Sequence, residues 1–126
     1  MATTVLGMSR RTAMSAMGAS AAMFGAAGLL APRALAGVYA VPSTPHTMQL
    51  FRLFGTRMLA LAAWTFSART AEERDRLLAV AVGMGAVDAV TALSAAGSTG
   101  RNSSLRAAAT SATFGALALA VRSLDE

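Results

Sequence analysis

The chain contains no cysteine and no lysine, and charged residues make up only 13% of its 126 residues. The absence of cysteine excludes disulfides, thiolate nucleophiles and cysteine-ligated metal clusters. A single histidine, His46, follows Pro45 in a predicted loop, so neither a histidine-rich metal site nor a serine–histidine–aspartate triad is expected. We therefore predict no catalytic residue, no cofactor and no metal site, and we expect that the protein is not an enzyme.

The composition is that of a membrane protein. Hydrophobic residues make up 55% of the chain and the mean hydropathy is +0.53, whereas about a quarter of a typical soluble domain is charged. The net charge of +5 comes from eleven arginines, but these are spread singly and form no basic stripe. We therefore predict the lipid bilayer as the main partner and no nucleic acid, because arginines that flank apolar segments usually set membrane orientation.

Four windows approach the roughly 20 mostly apolar residues that a membrane-spanning helix needs. These candidate spans are residues 12–31, 48–67, 77–96 and 105–121. The segment "TAEERDR" between the second and third windows is the most charged stretch and is predicted as a solvated loop, with Thr70 and Glu73 at the spacing of a capping box. The sequence thus predicts an all-α fold: a single membrane domain over residues 1–126, built as a four-helix transmembrane bundle with no β-sheet.

Arginine counts predict the orientation of that bundle. With four crossings, both termini and the loop between the second and third spans share one side of the membrane. That side holds Arg10, Arg11, Arg69, Arg74, Arg76 and Arg122, and the other holds Arg33, Arg101 and Arg106, with Arg52 near its membrane face. Since the cytoplasmic side carries the arginine excess, we predict a bacterial cytoplasmic (inner) membrane protein with both termini in the cytoplasm.

The amino terminus permits a different interpretation. "SRRTAM" at residues 9–14 precedes an apolar stretch, and "ALA" at residues 34–36 has the small-x-small pattern of a cleavage site. This arrangement is typical of a twin-arginine-like secretory signal. On that alternative the protein is exported, its first helix is removed, and the mature chain begins at Gly37.

Two short motifs carry a family resemblance. "G-x-L-x-P" occupies residues 28–32 and "R-x-x-G-x-R" occupies residues 52–57, with a proline-containing loop between them and an acidic residue, Asp88, in a later helix. Over residues 25–96 this pattern resembles small uncharacterised bacterial membrane proteins of actinobacterial type with a domain of unknown function. They are similar in size and span number to the four-helix DoxX-like proteins. The resemblance implies a fold and a location but no activity.

Two arginines inside the second span need an explanation, because an arginine in hydrocarbon is costly. Arg52 lies near the start of the span, so its side chain can extend to the headgroups. Arg57 lies near the middle and needs a partner. Asp88 is the one acidic residue inside any predicted span, at the same distance as Arg57 from the centre of the loop 69–76. It also lies on a stripe of small residues that lets helices approach closely.

We therefore predict an Arg57–Asp88 ion pair near the bilayer midplane. The pair either locks the hairpin of the second and third spans or takes part in proton or ion movement.

Small and aromatic residues indicate how the helices meet each other and the lipid. Rows of alanine, glycine and serine on the first, third and fourth helices favour close helix packing. They predict either the monomer's own bundle or, on one face, a homodimer or a larger membrane complex. Tyr39 and Trp64 lie near opposite ends of the second span and suit an aromatic belt, so with Arg52 they are predicted interface anchors.

The function expected from these patterns is that of a small integral membrane protein with a structural or accessory role. The main alternative is a small proton- or ion-coupled transporter that uses the intramembrane Arg57–Asp88 pair. The exported protein with a cleaved signal is the third. The sequence names neither a substrate nor a protein partner.

Overall fold

The computed structural model describes residues 3–124, which form a short β-hairpin followed by six helices. The hairpin pairs two strands antiparallel, with Thr4 opposite Ser9 and Val5 opposite Met8. The elements are β1 (Thr4–Val5), β2 (Met8–Ser9), α1 (Arg10–Leu30), α2 (Pro32–Val38), α3 (Pro45–Ser67), α4 (Ala71–Ser94), α5 (Ala96–Thr99) and α6 (Arg101–Arg122).

The prediction of four helices and no β-sheet is therefore wrong. The hairpin forms because Leu6 and Gly7 both adopt positive φ, of 51° and 76°, which is the backbone of a two-residue turn between antiparallel strands. Pro32 begins α2 at a first-turn position, where its missing N–H is not needed. Gly100, with φ of 94°, ends α5 and begins α6. Two short helices thus lie in segments that the sequence predicted as connections.

Three helices, α1, α4 and α6, are long and apolar enough to cross a membrane, which indicates a membrane protein. The second predicted span is not among them, although α3 is 23 residues long. Arg52 and Arg57 lower the hydropathy of α3. These are the two arginines whose presence inside a predicted span needed an explanation in the sequence. The outer surface carries many exposed apolar side chains, including Leu30, Leu53 and Val90, as expected where lipid replaces water.

Threonine and serine side chains fix where the long helices begin. The Thr44 hydroxyl accepts a hydrogen bond from the Thr47 backbone N–H at the start of α3, at 3.1 Å. At the start of α4 the predicted capping box is confirmed: Thr70 accepts from the Glu73 N–H, and Glu73 accepts from the Thr70 N–H. The same box corrects the loop prediction for "TAEERDR", because α4 begins at Ala71 and most of that segment is helical.

The long helices form two antiparallel pairs, α1 with α3 and α4 with α6. Glycines make both contacts close. A Cβ on Gly28 would lie 2.6 Å from the Phe51 carbonyl oxygen, and one on Gly55 would lie 2.7 Å from the Gly25 carbonyl oxygen. In the second pair, a Cβ on Gly85 would lie 2.6 Å from the Gly115 Cα. Backbones this close gain dispersion contacts, which is how small residues hold helices together in lipid.

Within residues 3–124, the two pairs pack tightly at one end, which holds the β-hairpin, the start of α1, the α3–α4 loop and the end of α6. The core there consists of Ala13, Met14, Leu77, Leu78, Ala81, Ala118 and Val121. Val5 and Met8 of the hairpin pack against this core. An ion cluster lies beside it, in which Asp75 accepts from Arg10 at 3.4 Å and from Arg122 at 3.0 Å. We call this end the closed end.

Candidate functional site: a cleft between two helix pairs

At the end opposite the core, the two helix pairs diverge and leave a cleft of about 450 Å³. One wall comes from α3 and the segment between α2 and α3, and the other from α4, α5 and α6. The volume lies within the range of about 300–1,000 Å³ that is typical of small-molecule sites. The cleft runs from the loops at its mouth down to Arg57 and Asp88, and a smaller cavity of about 90 Å³ continues past the same two side chains.

Arg57 and Asp88 meet across the cleft. Nη2 of Arg57 donates to Oδ2 of Asp88 at 2.8 Å, and the two side chains are 41% and 38% exposed. The residues lie on α3 and α4, so the ion pair links the two helix pairs where their backbones are apart. The sequence predicted this pairing, and the structure brings these side chains together.

The geometry around the pair differs from the prediction in one respect. The sequence placed Asp88 on a small-residue stripe along which α3 and α4 approach closely. In the structure that stripe serves α6 instead, because Gly85 contacts Gly115 and the Ser111 carbonyl. The adjacent helices α3 and α4 touch little, and the long Arg57 side chain covers the distance between them. The pair therefore lies in an accessible cleft rather than in a tight hairpin interface.

Aromatic rings form much of the wall on the α3 side. Tyr39 stacks on Phe51, with ring centroids 6.2 Å apart and an interplanar angle of 21°. Phe54 also lines the cleft and makes an edge contact with Phe24 of α1, at a centroid distance of 6.4 Å. Rings held by such contacts give a rigid apolar surface on which a flat group can stack. Tyr39, predicted as an anchor in the lipid interface, thus contributes to the cleft.

Hydroxyl side chains from α4, α5 and α6 line the opposite wall. Most of them already have partners: Thr99 and Ser104 share a hydrogen bond of 2.8 Å, and Ser103 donates to the Ala40 carbonyl at 2.7 Å. Arg106 donates to the Val38 carbonyl at 2.9 Å. The last two bonds connect α6 to the end of α2 and to the segment that follows it, at the mouth of the cleft.

The remaining predicted residues lie outside the cleft lining. Arg52 is exposed on α3, one turn and a half before Arg57, and Trp64 is 38% exposed near the end of α3. Both positions suit the interface, but their depth in a bilayer is a prediction. His46 is exposed in the first turn of α3. Over residues 3–124, no three histidine, aspartate or glutamate side chains cluster where they could hold a metal ion.

Sequence reasoning missed the cleft because it assigned each residue to a helix and not to a gap between helices. The available signal was the distribution of aromatic residues. Tyr39, Phe51 and Phe54 recur near Arg57, whereas α4 and α6 offer alanine, serine and threonine at matching depth. A cavity forms where aromatic side chains of one helix face small and polar side chains of other helices, because the small side chains do not fill the space between the helices.

Comparison with family models, with curated proteins and with solved structures found no match to this chain.

Proposed function

We propose that this protein is a small, non-enzymatic integral membrane protein of the bacterial cytoplasmic membrane that binds a solute in its cleft, as a carrier does. One observation supports this most: the Arg57–Asp88 pair lies at the inner part of a cleft large enough for a small molecule. Ionisable side chains at membrane depth are costly, and where they face an accessible cavity they usually mark a substrate or ion pathway. A pair whose role was only to lock two helices would need no cavity beside it.

The architecture supports a carrier-like arrangement. The helix pairs α1–α3 and α4–α6 are each held by glycine contacts, and the cleft lies between them. The closed end joins the pairs through packed side chains, whereas at the open end the described residues bridge them through polar contacts: the Arg57–Asp88 pair and the α6 hydrogen bonds to Val38 and Ala40. Two rigid bodies around a central site can alternate access by moving against one another.

We propose that the closed end faces the cytoplasm and the mouth faces outward. The arginine excess supports this orientation, because Arg10, Arg69 and Arg122 are among the six arginines at the closed end. Although α3 carries two arginines, it packs along α1 from Gly18 beside Phe66 to Gly28 beside Phe51, which supports placing the two helices at the same depth. Arg57 faces the cleft rather than lipid, which reduces the cost of its charge.

The proposal is tested by thiol accessibility, for which a chain without native cysteine is well suited. Ser111 lines the cleft, and its neighbour Ala112 is exposed on the outer surface of the same helix. In intact cells, a charged, membrane-impermeant thiol reagent should label Ser111→Cys and leave Ala112→Cys largely unlabelled in lipid. Equal labelling of the two variants, or protection of Ser111→Cys alone, would contradict a water-filled cleft that opens outward.

The structural or accessory role is the second candidate, and the apolar outer surface favours it, since a partner helix could cover that surface. Affinity purification in mild detergent separates the two roles. A stoichiometric partner that co-purifies with the native protein and with a cleft-blocked Ala107→Phe variant would favour the accessory role. The relation to DoxX-like proteins stays a prediction, which depends on the motifs at residues 28–32 and 52–57, the proline-containing loop between them and Asp88.

A further inference from the structure

We propose that the cleft selects an amphipathic organic anion, a small carboxylate attached to a flat apolar group, with Arg57 binding the carboxylate. This inference rests on the proposed function and specifies its ligand. The residues that line the cleft include one positive and one negative side chain, so overall charge does not decide which ligand binds. Whether the cleft prefers an anion or a cation depends on which of the two side chains has more hydrogen-bonding groups free to contact a ligand.

Arg57 has more unused capacity than Asp88. A guanidinium carries five N–H donors in a planar fork that matches a carboxylate. In the part of the chain that is described, Arg57 makes one side-chain hydrogen bond, from Nη2 to Asp88. Its side chain is 41% exposed into the cleft, so further donors can reach a ligand. A ligand carboxylate can therefore bind Arg57 beside Asp88 or in its place.

The apolar part of the ligand follows from the aromatic wall. Tyr39 and Phe51 stack on one another, and Phe54 is held against Phe24, so these rings keep their positions without a ligand. Phe51 and Phe54 precede Arg57 on α3 by about one to two turns, which places the rings between the guanidinium and the mouth. A carboxylate on Arg57 would therefore direct an attached ring or short chain along this wall. Such stacking contributes to affinity without requiring a particular ring.

Asp88 has a definite role in this arrangement. It occupies Arg57 when the cleft is empty, so the guanidinium is not left unpaired at membrane depth. When an anion binds, Asp88 competes with it for the same donors and repels its charge. The two residues therefore act in opposite directions on ligand affinity, although they act together on stability. This asymmetry separates a binding site from a structural ion pair.

The test is equilibrium binding of three matched probes to the purified full-length protein in nanodiscs of phosphatidylcholine. Phenylacetate carries the carboxylate, phenylacetamide is its neutral counterpart, and phenethylammonium is the cation. We expect phenylacetate to bind about tenfold more tightly than phenylacetamide, as one charge-assisted hydrogen bond requires. Phenethylammonium should bind more weakly still. Equal binding of all three, or preference for the cation, would overturn the proposal.

Two single variants test whether Arg57 and Asp88 have opposite effects on phenylacetate affinity. Arg57→Gln should weaken phenylacetate binding by about tenfold or more. Asp88→Asn, which keeps an acceptor for Arg57 but removes the competing charge, should leave affinity unchanged or raise it. A parallel loss in both variants would overturn the proposal and indicate a structural pair. The double variant Arg57→Gln/Asp88→Asn removes both charges, so if it folds like the native protein and yet binds no phenylacetate, loss of binding is not caused by misfolding. Arg52→Gln, outside the cleft, is the matched control and should bind normally.

A lipid headgroup offers similar anionic chemistry, and one more arm distinguishes it. Adding phosphatidylglycerol to the nanodiscs should leave phenylacetate binding intact if the ligand is a free solute. Displacement of phenylacetate by phosphatidylglycerol would assign Arg57 to a lipid headgroup and overturn the proposal. Labelling of Ser111→Cys needs no ligand, so a cleft that is labelled but shows no preference for phenylacetate would overturn the ligand class and leave the proposed function standing.

Discussion

Gly85 and Gly115 meet backbone to backbone where α4 crosses α6, and a Cβ built on Gly85 would lie only 2.6 Å from the Gly115 Cα. The neighbour is backbone and cannot rotate away, so an added methyl group must separate the helices. We predict that Gly85→Ala lowers the free energy of unfolding by about 1–3 kcal/mol, as overpacking usually does. Thermal unfolding in detergent, followed by size-exclusion chromatography, measures this loss.

Gly83 is the matched control for that substitution. It lies on the same helix one half-turn earlier, and a Cβ there would meet nothing within 4 Å. Gly83→Ala should therefore be neutral or stabilise the helix by roughly 0.5–1 kcal/mol, because alanine loses less backbone entropy than glycine. If both alanines shift the unfolding midpoint in the same direction, the close contact at Gly85 is not what holds α4 to α6.

Asp75 at the closed end is predicted to stabilise the fold more than its exposure suggests. It is the acceptor for Arg10, whose side chain is only 9% exposed and whose Nε is buried without an acceptor among residues 3–124. Asp75→Asn would leave that guanidinium poorly compensated. Because Asp75 itself is half-exposed, we expect a cost of about 1–2 kcal/mol rather than the larger cost of a fully buried pair.

The control for Asp75 is Glu72, which pairs with Arg76 one helical turn away at the surface. Both side chains of that pair are well exposed, so Glu72→Gln should change the free energy of unfolding by less than about 0.5 kcal/mol. Unfolding midpoints of the two variants, measured in the same detergent, give the comparison. If Glu72→Gln lowers the free energy of unfolding as much as Asp75→Asn does, the buried Arg10 does not make Asp75 more important than a surface carboxylate.

The first helix is predicted to remain in the mature protein. Ala13 and Met14 lie in the core, and Ala36, at the suggested cleavage site, is fully buried within α2. Removal of α1 would expose the α3 face around Gly55. Intact-mass measurement of protein extracted from membranes should therefore include residues 10–36. A mature chain that begins at Gly37 would favour the exported alternative instead.

The sequence was most informative about the long helices and the ion pair. All four apolar windows coincide with long helices, because apolar runs and caps such as Thr70 are local features. As membrane spans, however, three of the four agree with the structure, since α3 is not apolar enough. The Arg57–Asp88 contact could be predicted because two charges at equal depth in an apolar layer have few other partners.

Helix pairing could not be predicted in the same way. Small-residue rows occur on α1, α4 and α6, and each row could serve any neighbour, so chain order suggested an α3–α4 hairpin. The structure pairs α1 with α3 through Gly25, Gly28 and Gly55 instead. The cleft follows from this pairing, because Arg57 then belongs to the α1–α3 pair and Asp88 to the α4–α6 pair, and the cleft lies between the two pairs. The β-hairpin β1–β2 and the short helix α5 were not predicted. Both are very short and end at or turn on residues with positive φ, and such short segments show no hydropathy period.

The central claim is that Arg57 and Asp88 join the two helix pairs across the cleft, and a charge swap tests it most directly. Arg57→Asp and Asp88→Arg would each place like charges where the native atoms are 2.8 Å apart, at a cost of about 2–3 kcal/mol at membrane depth. We expect each single variant to reduce the yield of folded, monodisperse protein, and the double variant to restore most of it. Arg52→Asp, which lies on the same helix outside the cleft, should gain nothing from Asp88→Arg. A double variant no better than either single one, or equal rescue of Arg52→Asp, would contradict the claim.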